Sequence, residues 1–341
     1  MLSELIAPVQ RLALVGLAKN TGKTETLAAS LRELATQNTR VGVTSIGRDG
    51  EEHDVIDARI DKPRIVLQAG SLVASTDALV RASGLAHERL AQTGVRTPLG
   101  EVVITKLTEQ GAIEVAGPST AEDLRTVSDA MIGFGAEIVL IDGSIDRRAA
   151  SSPAVADGLV MATGAVLSEE LEAVVAATKD AVDLVRLPAV GSLRVEGSTG
   201  GGEELLTLER GLVLNAEPAE IAALLREHPQ ASTFRVDGAL SERFLDGLLA
   251  ARTERAGREL RIVAGDPTKV FLTRRGPDWY RRQGLAIEVL RAIDLKAITV
   301  NPVAPQSHRF DSEELRGLIE AAVPDVPVLD VLDPSYLALA K

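Results

Sequence analysis

The sequence predicts an α/β protein built on a mostly parallel sheet, with a second α/β domain after it. Short apolar runs alternate with helical patterns almost from end to end, which is typical of strands joined by helical crossovers. Aromatic residues make up only 2% of the 341 residues, so the core must consist of Ala, Val, Leu and Ile. Such a core suits buried parallel strands covered by alanine-rich helices.

The elements of the first part follow from these runs in order. Strands are predicted where apolar residues cluster, at Leu12–Gly16, Val41–Ile46, Arg64–Leu67, Val102–Lys106, Ile138–Asp142 and Leu159–Thr163. Helices are predicted over Lys23–Thr36 and Ala121–Phe134, because apolar residues recur there at intervals of three and four.

A glycine-rich stretch, Gly191–Glu204, predicts a domain boundary or a mobile loop. We therefore expect a first domain over residues 1–200 and a C-terminal α/β domain over residues 201–341. In the second domain the same patterns predict strands Thr233–Val236, Leu260–Ala264 and Ala297–Val300, and helices Ser241–Arg255, Asp278–Gln283 and Asp311–Ala322.

Composition excludes several classes of protein. A formal net charge of −12 argues against a nucleic-acid partner, because nucleic-acid affinity comes largely from Lys and Arg. With no cysteine, disulfides, thiolate metal sites and a cysteine nucleophile are excluded. The N-terminus lacks the pattern of a signal peptide, and no apolar run approaches the ~18 residues of a membrane span. We expect a cytoplasmic protein with no membrane partner.

The strongest motif is RLALVGLAKNTGKTET, residues 11–26, in which a polar loop joins a strand to a helix. Glycines let backbone amides approach phosphate oxygens, and the free amides of a helix N-terminus favour negative charge. Lys23 is expected to reach the β and γ phosphates, and the Thr24 hydroxyl to bind Mg²⁺. The predicted nucleotide contacts are Gly16, Lys19, Asn20, Thr21, Gly22, Lys23, Thr24 and Glu25.

The motif departs from the usual phosphate-loop pattern at two positions. In G-x-x-x-x-G-K-[ST] the first glycine would fall on Leu17, whereas Gly16 lies one residue earlier. Either the loop is one residue longer, or only the second glycine is needed for close approach. Lys19 lies four residues before Lys23, not five as in the P-loop branch with an extra lysine, so it either contacts phosphate or faces solvent.

Acidic residues after two strands are candidate metal ligands, because ligands bind at the carboxyl ends of strands in open α/β sheets. Asp142 follows the apolar run of a Walker B strand and is predicted to hold Mg²⁺; the alternative is a turn aspartate before Gly143. Asp49 follows the second strand and is predicted to orient the attacking water or bind Mg²⁺. Glu51, Glu52 and Asp54 crowd the same loop and compete with it for this role.

The predicted catalytic residues are therefore Lys23, Asp49 and Asp142, and the predicted metal ligands are Thr24, Asp49 and Asp142. The chain lacks the N-K-x-D sequence that reads guanine, which favours ATP over GTP. The expected cofactors are ATP and Mg²⁺.

Two further segments each have two interpretations. Thr273–Gly284 packs four arginines beside the only tryptophan, and it is either an interface patch or an amphipathic helix with core aromatics. Asn301–His308 is a polar loop after a strand, and it either binds a ligand or simply connects two elements.

Four stretches resemble a known family: GLAKNTGKTET, SIGRDGEEHD followed by KPRI, IDGSIDRRAASSPAVADGLVMATGA, and VNPVAPQSHRFD. They are similar to the P-loop protein that accompanies the cobalamin- and PLP-dependent lysine 5,6-aminomutase, an ATPase component of its reactivating system. The resemblance implies a P-loop NTPase fold and an ATP-driven helper that acts on another protein. It also implies Gly22, Lys23, Thr24, Asp49 and Asp142 as the nucleotide site.

The implied partner is a cobalamin-dependent aminomutase or a second subunit of the reactivating system. Because dimeric P-loop ATPases are the precedent for Asp49, a homodimer is also an arrangement to consider. Two other classes of function remain open. The C-terminal domain could bind the acceptor of a small-molecule kinase or ATP-dependent ligase, or the chain could be a nucleotide-gated binding module with little turnover.

Overall fold

The computed structural model describes residues 1–46, 65–143, 150–190, 204–208, 213, 217–251, 259–305 and 307–339. In chain order the strands are β1 (Arg11–Gly16), β2 (Val41–Ser45), β3 (Ile65–Leu67), β4 (Leu72–Thr76), β5 (His87–Thr97), β6 (Gly100–Leu107), β7 (Gly111–Ile113), β8 (Ile138–Asp142), β9 (Gly158–Gly164), β10 (Glu204–Leu208), β11 (Ala231–Val236), β12 (Leu240–Ser241), β13 (Leu260–Ala264), β14 (Val270–Phe271), β15 (Leu285–Val289), β16 (Leu295–Asn301) and β17 (Val328–Leu329).

The α-helices of the described residues are α1 (Leu2–Ile6), α2 (Lys23–Thr36), α3 (Asp77–Ala82), α4 (Ala121–Gly133), α5 (Leu171–Val185), α6 (Pro218–Glu227), α7 (Glu242–Ala251), α8 (Pro277–Arg282), α9 (Ser312–Ala322) and α10 (Pro334–Leu339). None of these described helices is long and apolar enough to cross a membrane.

The largest sheet in the described part of the chain has nine strands in the order β17-β16-β9-β1-β8-β2-β4-β6-β5. Every neighbouring pair from β17 to β4 is parallel, whereas β6 and β5 form an antiparallel edge. Every residue of β1 is buried, as expected for a strand covered on both faces of the sheet. The predicted α/β class and mostly parallel sheet are confirmed.

The chain forms two compact units. The first contains Met1–Thr178 and Asp294–Lys341, and the second contains Lys179–Ile293. The second unit has a parallel sheet in the order β10-β11-β13-β15 and a short parallel pair, β12 and β14. Its apolar core includes the fully buried side chains of Phe234 and Tyr280. The second unit is therefore also α/β.

These units differ from the predicted division at residues 200 and 201. The predicted strand Ala297–Val300 lies within β16, which pairs with β9 in the first unit, and the helix predicted at Asp311–Ala322 follows it there. The glycine-rich boundary falls mostly outside the described residues, since 191–203 are not among them. Apolar runs predict that a strand exists but do not identify its neighbour, so the return of the chain to the first sheet was not foreseen.

Two predicted elements extend into residues outside the described part of the chain. The strand predicted at Arg64–Leu67 is described from Ile65, and it pairs antiparallel with β7 in a separate small sheet. The helix predicted at Ser241–Arg255 is described as Glu242–Ala251, and residues 252–258 lie outside the described part. Both segments have the predicted type of secondary structure.

Candidate functional site

The predicted phosphate loop, Gly16–Thr24, begins at the end of the central strand β1. The Leu17 N–H donates to the Ala162 carbonyl at 2.9 Å, which extends the β1–β9 pairing one residue into the loop. The loop then folds back on the strand end. A Cβ atom on Gly16 would lie 2.5 Å from Oγ1 of Thr21, so any other residue here would displace the Thr21 hydroxyl.

Two loop residues have left-handed backbone conformations. Gly22 has φ of 89°, and Asn20 has φ of 65°, a region that asparagine tolerates better than most residues. The Thr21 hydroxyl donates to the Ala18 carbonyl at 3.0 Å, and Thr21 is 1% exposed. The buried side chain of Thr21 therefore stabilises the loop by a hydrogen bond within it. The sequence predicts Thr21 as a nucleotide contact, and its hydroxyl is used for this internal bond.

Helix α2 begins at Lys23, within the last residues of the predicted phosphate loop, as the sequence predicts. Gly22 is its N-cap and has no side chain with which to accept a hydrogen bond from the first turn. The Thr26 N–H donates to the Gly22 carbonyl at 2.9 Å. The amides before Thr26 lack acceptors within the helix, as at any helix start, and they form a potential anion site.

Lys23 and Asp142 come together at this helix start. The Lys23 Nζ atom lies 2.5 Å from Oδ1 of Asp142, and the two side chains are 24% and 29% exposed. Asp142 ends β8, the strand beside β1, and it is aligned with Leu14. Its carbonyl also accepts from the Ile46 N–H at 3.1 Å, so the ends of β8 and β2 are joined.

The other predicted contacts of the loop differ in exposure. Lys19 and Asn20 are exposed, and so is Glu25 in the first turn of α2. Thr24 is half-buried in the same turn. Exposure of Lys19 is compatible with both interpretations of this residue, because a solvated lysine can also reach an anion.

Asp49 and its competitors Glu51, Glu52 and Asp54 lie outside the described residues. The strand before them is described: β2 ends at Ser45, which is aligned with Asp142. The carboxyl end of β2 therefore lies beside the Lys23–Asp142 pair. The role of Asp49 stays a prediction.

Asn301, at the end of β16, contacts the predicted phosphate loop. The sequence indicated it only as the first residue of a polar loop that either binds a ligand or connects two elements, and not as a nucleotide contact. Its Nδ2 donates to the Asn20 carbonyl at 3.0 Å. A Cβ atom on Gly22 would lie 3.0 Å from Cβ of Asn301, and one on Gly164 would lie 2.2 Å from its carbonyl oxygen. The signal was available in the polar loop after this strand, but that strand was assigned to the second domain.

Ser307 of the Asn301–His308 loop contacts the segment that follows β9. The Ser307 hydroxyl lies 3.4 Å from Oε1 of Glu169 and 3.0 Å from Nδ1 of His308. No cluster of three or more His, Asp or Glu side chains that could hold a metal occurs among the described residues. A Mg²⁺ site needs fewer protein ligands than this, because Mg²⁺ keeps waters and binds substrate phosphates.

The Thr273–Gly284 segment of the second unit is largely structural. Tyr280 is fully buried and its hydroxyl donates to Oδ1 of Asp246 at 2.9 Å. Burial and this bond to a carboxylate both raise the Tyr280 pKa. The Arg275 guanidinium lies 3.9 Å from the centre of the Trp279 ring. Trp279 is half-buried, so the segment matches the amphipathic-helix interpretation at Tyr280 and leaves part of Trp279 accessible.

The chain was also compared with known proteins. A scan against protein-family models found no match, and searches of curated proteins and of solved structures found none either. The family resemblance of the sequence motifs therefore stays a hypothesis.

Proposed function

We propose that this chain binds Mg²⁺-ATP on the predicted phosphate loop and hydrolyses it to act on a protein partner. The Lys23–Asp142 contact supports this proposal most directly. A phosphate-binding lysine and a metal-binding carboxylate must lie close together at one edge of the sheet. Lys23 and Asp142 are far apart in the sequence, yet they are in contact at such an edge. The glycine positions and the helix start supply the backbone donors for phosphate.

The residues around the loop fit Mg²⁺ by their chemistry. The Asp142 carboxylate and the Thr24 hydroxyl supply oxygen atoms, which hard cations such as Mg²⁺ prefer. When bound, Mg²⁺ would neutralise charge on the phosphates. Lys23 would hold the β and γ phosphates by charge, while the first-turn amides of α2 would orient them.

The loss of phosphate binding in Lys23→Ala is the first test. At 100 times its dissociation constant a ligand stabilises a protein by about 2.7 kcal/mol, so Mg²⁺-ATP is expected to raise the parent's melting temperature measurably. The variant is expected to lose most of this rise. Lys106→Ala, at an exposed lysine of β6, is the control and should keep it. An equal rise in Lys23→Ala would show that the loop is not the site.

ATP is preferred to GTP in this proposal because the sequence lacks N-K-x-D. Competition for a fluorescent ATP analogue tests the preference. Equal displacement by ATP and GTP would contradict it.

Asp49 belongs to the proposal on its sequence position alone. We expect Asp49→Asn to keep ATP affinity and lose hydrolysis, because an amide is a poor group for orienting or activating water. Unchanged turnover would move the role to Glu51, Glu52 or Asp54, each tested by the same substitution to the amide.

The protein partner is proposed from the sequence resemblance and from the size of the second unit. A cobalamin-dependent aminomutase, or a second subunit of its reactivating system, is the partner to test first. The strongly acidic chain, with a net charge of −12, favours a protein over a nucleic acid. The molar mass in solution, with and without ATP, distinguishes a monomer from a homodimer.

A small-molecule kinase or ligase is the second candidate, and one cleft favours it. A cleft of about 710 Å³ runs along α2 from Thr24, with both apolar and polar side chains in its walls. Lining side chains include Leu27, Leu31, Arg32, Gln68 and Gln110. A small acceptor bound there would reach the proposed phosphate site at Thr24.

Turnover distinguishes the candidates, including a nucleotide-gated binding module. A helper ATPase is expected to hydrolyse ATP slowly alone and faster with its partner. A kinase is expected to protect ATP until an acceptor is supplied, because it excludes water from the site. A binding module is expected to bind ATP without turnover under both conditions.

A further inference from the structure

We propose that Asn301 is a positioning residue that fixes the backbone of the predicted phosphate loop from the end of β16. This inference rests on the proposed function, because it concerns how that site binds phosphate. Asn301 itself need not touch the nucleotide.

The contact with the loop is made to its backbone. Nδ2 of Asn301 donates to the Asn20 carbonyl at 3.0 Å. Because the peptide group is planar, holding this carbonyl also holds the N–H of Thr21, which points the opposite way in a trans peptide. Asn20 has φ of 65°, a left-handed conformation that asparagine tolerates better than most residues, and the hydrogen bond from Asn301 helps to hold it.

The side chain of Asn301 is itself held in one orientation. Its Oδ1 accepts from the Val303 N–H at 3.1 Å, so the amide nitrogen must face the loop. Gly22 and Gly164 approach it so closely that a Cβ atom on either would contact Asn301 at 3.0 Å or less. A side-chain amide held by hydrogen bonds at both its oxygen and its nitrogen orients the loop before phosphate arrives, which is how preorganised donors gain affinity.

A second contact between the same strand and helix provides the control. Oγ1 of Thr299 lies 2.7 Å from Oγ1 of Thr26, and both residues are 1% exposed. This hydrogen bond joins β16 to α2. Oγ1 of Thr26 also donates to the Gly22 carbonyl at 3.0 Å, and Thr299→Val keeps that donor. Removal of the Thr26–Thr299 bond in Thr299→Val should affect folding but leave the orientation of the Asn20 carbonyl unchanged.

The experiment measures binding of Mg²⁺-ATP and of tripolyphosphate to the full chain and its variants. We expect Asn301→Ala to weaken both ligands by a similar factor of about tenfold, the value of one well-placed hydrogen bond. Asn301→Asp has the same shape and keeps the acceptor for Val303, but it presents an oxygen to the Asn20 carbonyl and adds negative charge. We expect it to weaken both ligands further.

Thr299→Val is expected to lower the ligand-free melting temperature and to keep both affinities within about twofold, as expected when no contact to the loop is lost. If Asn301→Ala does not unfold cooperatively, the affinities of the isosteric variant Asn301→Asp for the two ligands decide the test. Loss of ATP affinity with unchanged tripolyphosphate affinity would overturn the inference, because Asn301 would then contact the nucleoside.

The failure of this inference can be told from failure of the proposed function. If Lys23→Ala abolishes binding and Asn301→Ala binds both ligands as the parent does, only the positioning role is wrong. If the parent binds neither ATP nor tripolyphosphate, the loop is not a phosphate site and both are wrong.

Discussion

Lys23 and Asp142 neutralise each other across 2.5 Å at the centre of the large sheet. In the proposed complex each has another partner, since Lys23 faces phosphate oxygens and Asp142 faces Mg²⁺. A metal that attracts Asp142 therefore frees Lys23 for the nucleotide. It follows that nucleotide and metal should bind together more tightly than their separate affinities suggest, and this coupling must be reciprocal.

Asp142→Asn tests the coupling. We expect the variant to bind metal-free ATP at least as tightly as the parent, because Lys23 loses its competing carboxylate. The gain in affinity on adding Mg²⁺ should shrink by about 10- to 100-fold, the usual effect on metal affinity of losing a group that supports the metal. Titration calorimetry in EDTA and in Mg²⁺ measures both quantities.

The matched control is Asp294→Asn, at an exposed acid that pairs with Lys296 beside β16. It should leave the magnesium dependence of ATP affinity unchanged. If Asp142→Asn has the magnesium dependence of the parent, Asp142 is a turn residue before Gly143.

At the residue scale the sequence could predict groups whose chemistry is local. A strand, a loop and a helix in order predict the roles of Gly16, Gly22 and Lys23, and an apolar strand that ends in an acid predicts the role of Asp142. The structure brings Lys23 and Asp142 together. Asn301 could not be predicted in this way. Its role depends on which strand lies two places from β1, and that neighbour comes from near the other end of the chain.

Among the secondary-structure elements, those with a strong local signal were predicted residue for residue. Helix α2 and strands β8 and β13 have the predicted bounds, because apolar periodicity and flanking turn residues delimit them. Strand β5 was missed. Its residues are mostly half-buried or exposed, so it has no apolar run, and its pairing with β6 creates the strand.

Helix α7 of the second unit depends on a buried carboxylate at its first residue. Glu242 is 6% exposed and accepts hydrogen bonds from the backbone N–H groups of Thr273, Arg274 and Arg275 at 3.1–3.2 Å. Burial raises the Glu242 pKa, but hydrogen bonds from Thr273 and Arg274 outweigh it, and the net pKa is lowered. The carboxylate thus ties α7 to the segment before α8.

Glu242→Gln is expected to lower the free energy of unfolding of the second unit by about 1–3 kcal/mol at pH 7. The amide would present donors to groups that are already donors. The pKa of Glu242 is lower in the folded chain than the value of about 4.3 in the unfolded chain, so the ionised carboxylate stabilises the fold at pH values above 4.3. This stabilisation is lost as the pH falls through the lower pKa of the folded chain. The parent should therefore lose more stability than the variant between pH 7 and pH 3.

Urea unfolding followed by fluorescence measures this effect in the second unit, because Trp279 is the only tryptophan of the chain. Glu217→Gln is the control, at an exposed carboxylate that pairs with Arg243 at 2.8 Å. Surface pairs of this kind contribute about 0–1 kcal/mol. Equal losses in both variants would contradict a special role for Glu242.

For the whole molecule, the proposed helper function requires nucleotide and partner binding to be coupled. Coupling between two sites is typically ~1–3 kcal/mol, or about 5- to 150-fold in affinity. We expect the partner's dissociation constant to differ by such a factor between the ligand-free and Mg²⁺-ATP forms. Titration of the purified partner against both forms measures it.

Trp279→Ala examines whether the accessible part of Trp279 contributes to partner binding. If the Thr273–Gly284 segment docks the partner, the variant should bind the partner more weakly. Normal binding would rule out this segment as the docking surface and leave the helper function itself open. If the partner binds the ligand-free and Mg²⁺-ATP forms of the parent with equal dissociation constants, the small-molecule kinase becomes the favoured proposal.

The insertion of the second unit within the first makes another whole-molecule prediction. Thr178 contacts Thr163 at one end of β9, and Asp294 bonds to Leu159 at the other. These two points on β9 are about 13 Å apart at ~3.3 Å per residue. We expect a chain in which a short Gly/Ser linker replaces Lys179–Ile293 to keep ATP binding, measured by calorimetry.

A chain ending at residue 200 should lose ATP binding although it keeps the whole phosphate-loop motif. It would lack β16, β17 and Asn301, and β9 would become an unpaired edge. Binding by this shorter chain would contradict the contribution of β16 to the site.

The same topology determines when the proposed nucleotide site can form during synthesis. The second unit is contiguous and can fold once Ile293 has left the ribosome, whereas the first must wait for β16. Until then β9 keeps an open edge beside the central strand, and open edges invite wrong pairing. At ~5–20 residues per second, the time between the synthesis of β9 and that of β16 is on the order of ten seconds. A newly made chain would therefore acquire affinity for ATP only after β16 has left the ribosome, which makes ATP binding a marker of completed folding of the first unit.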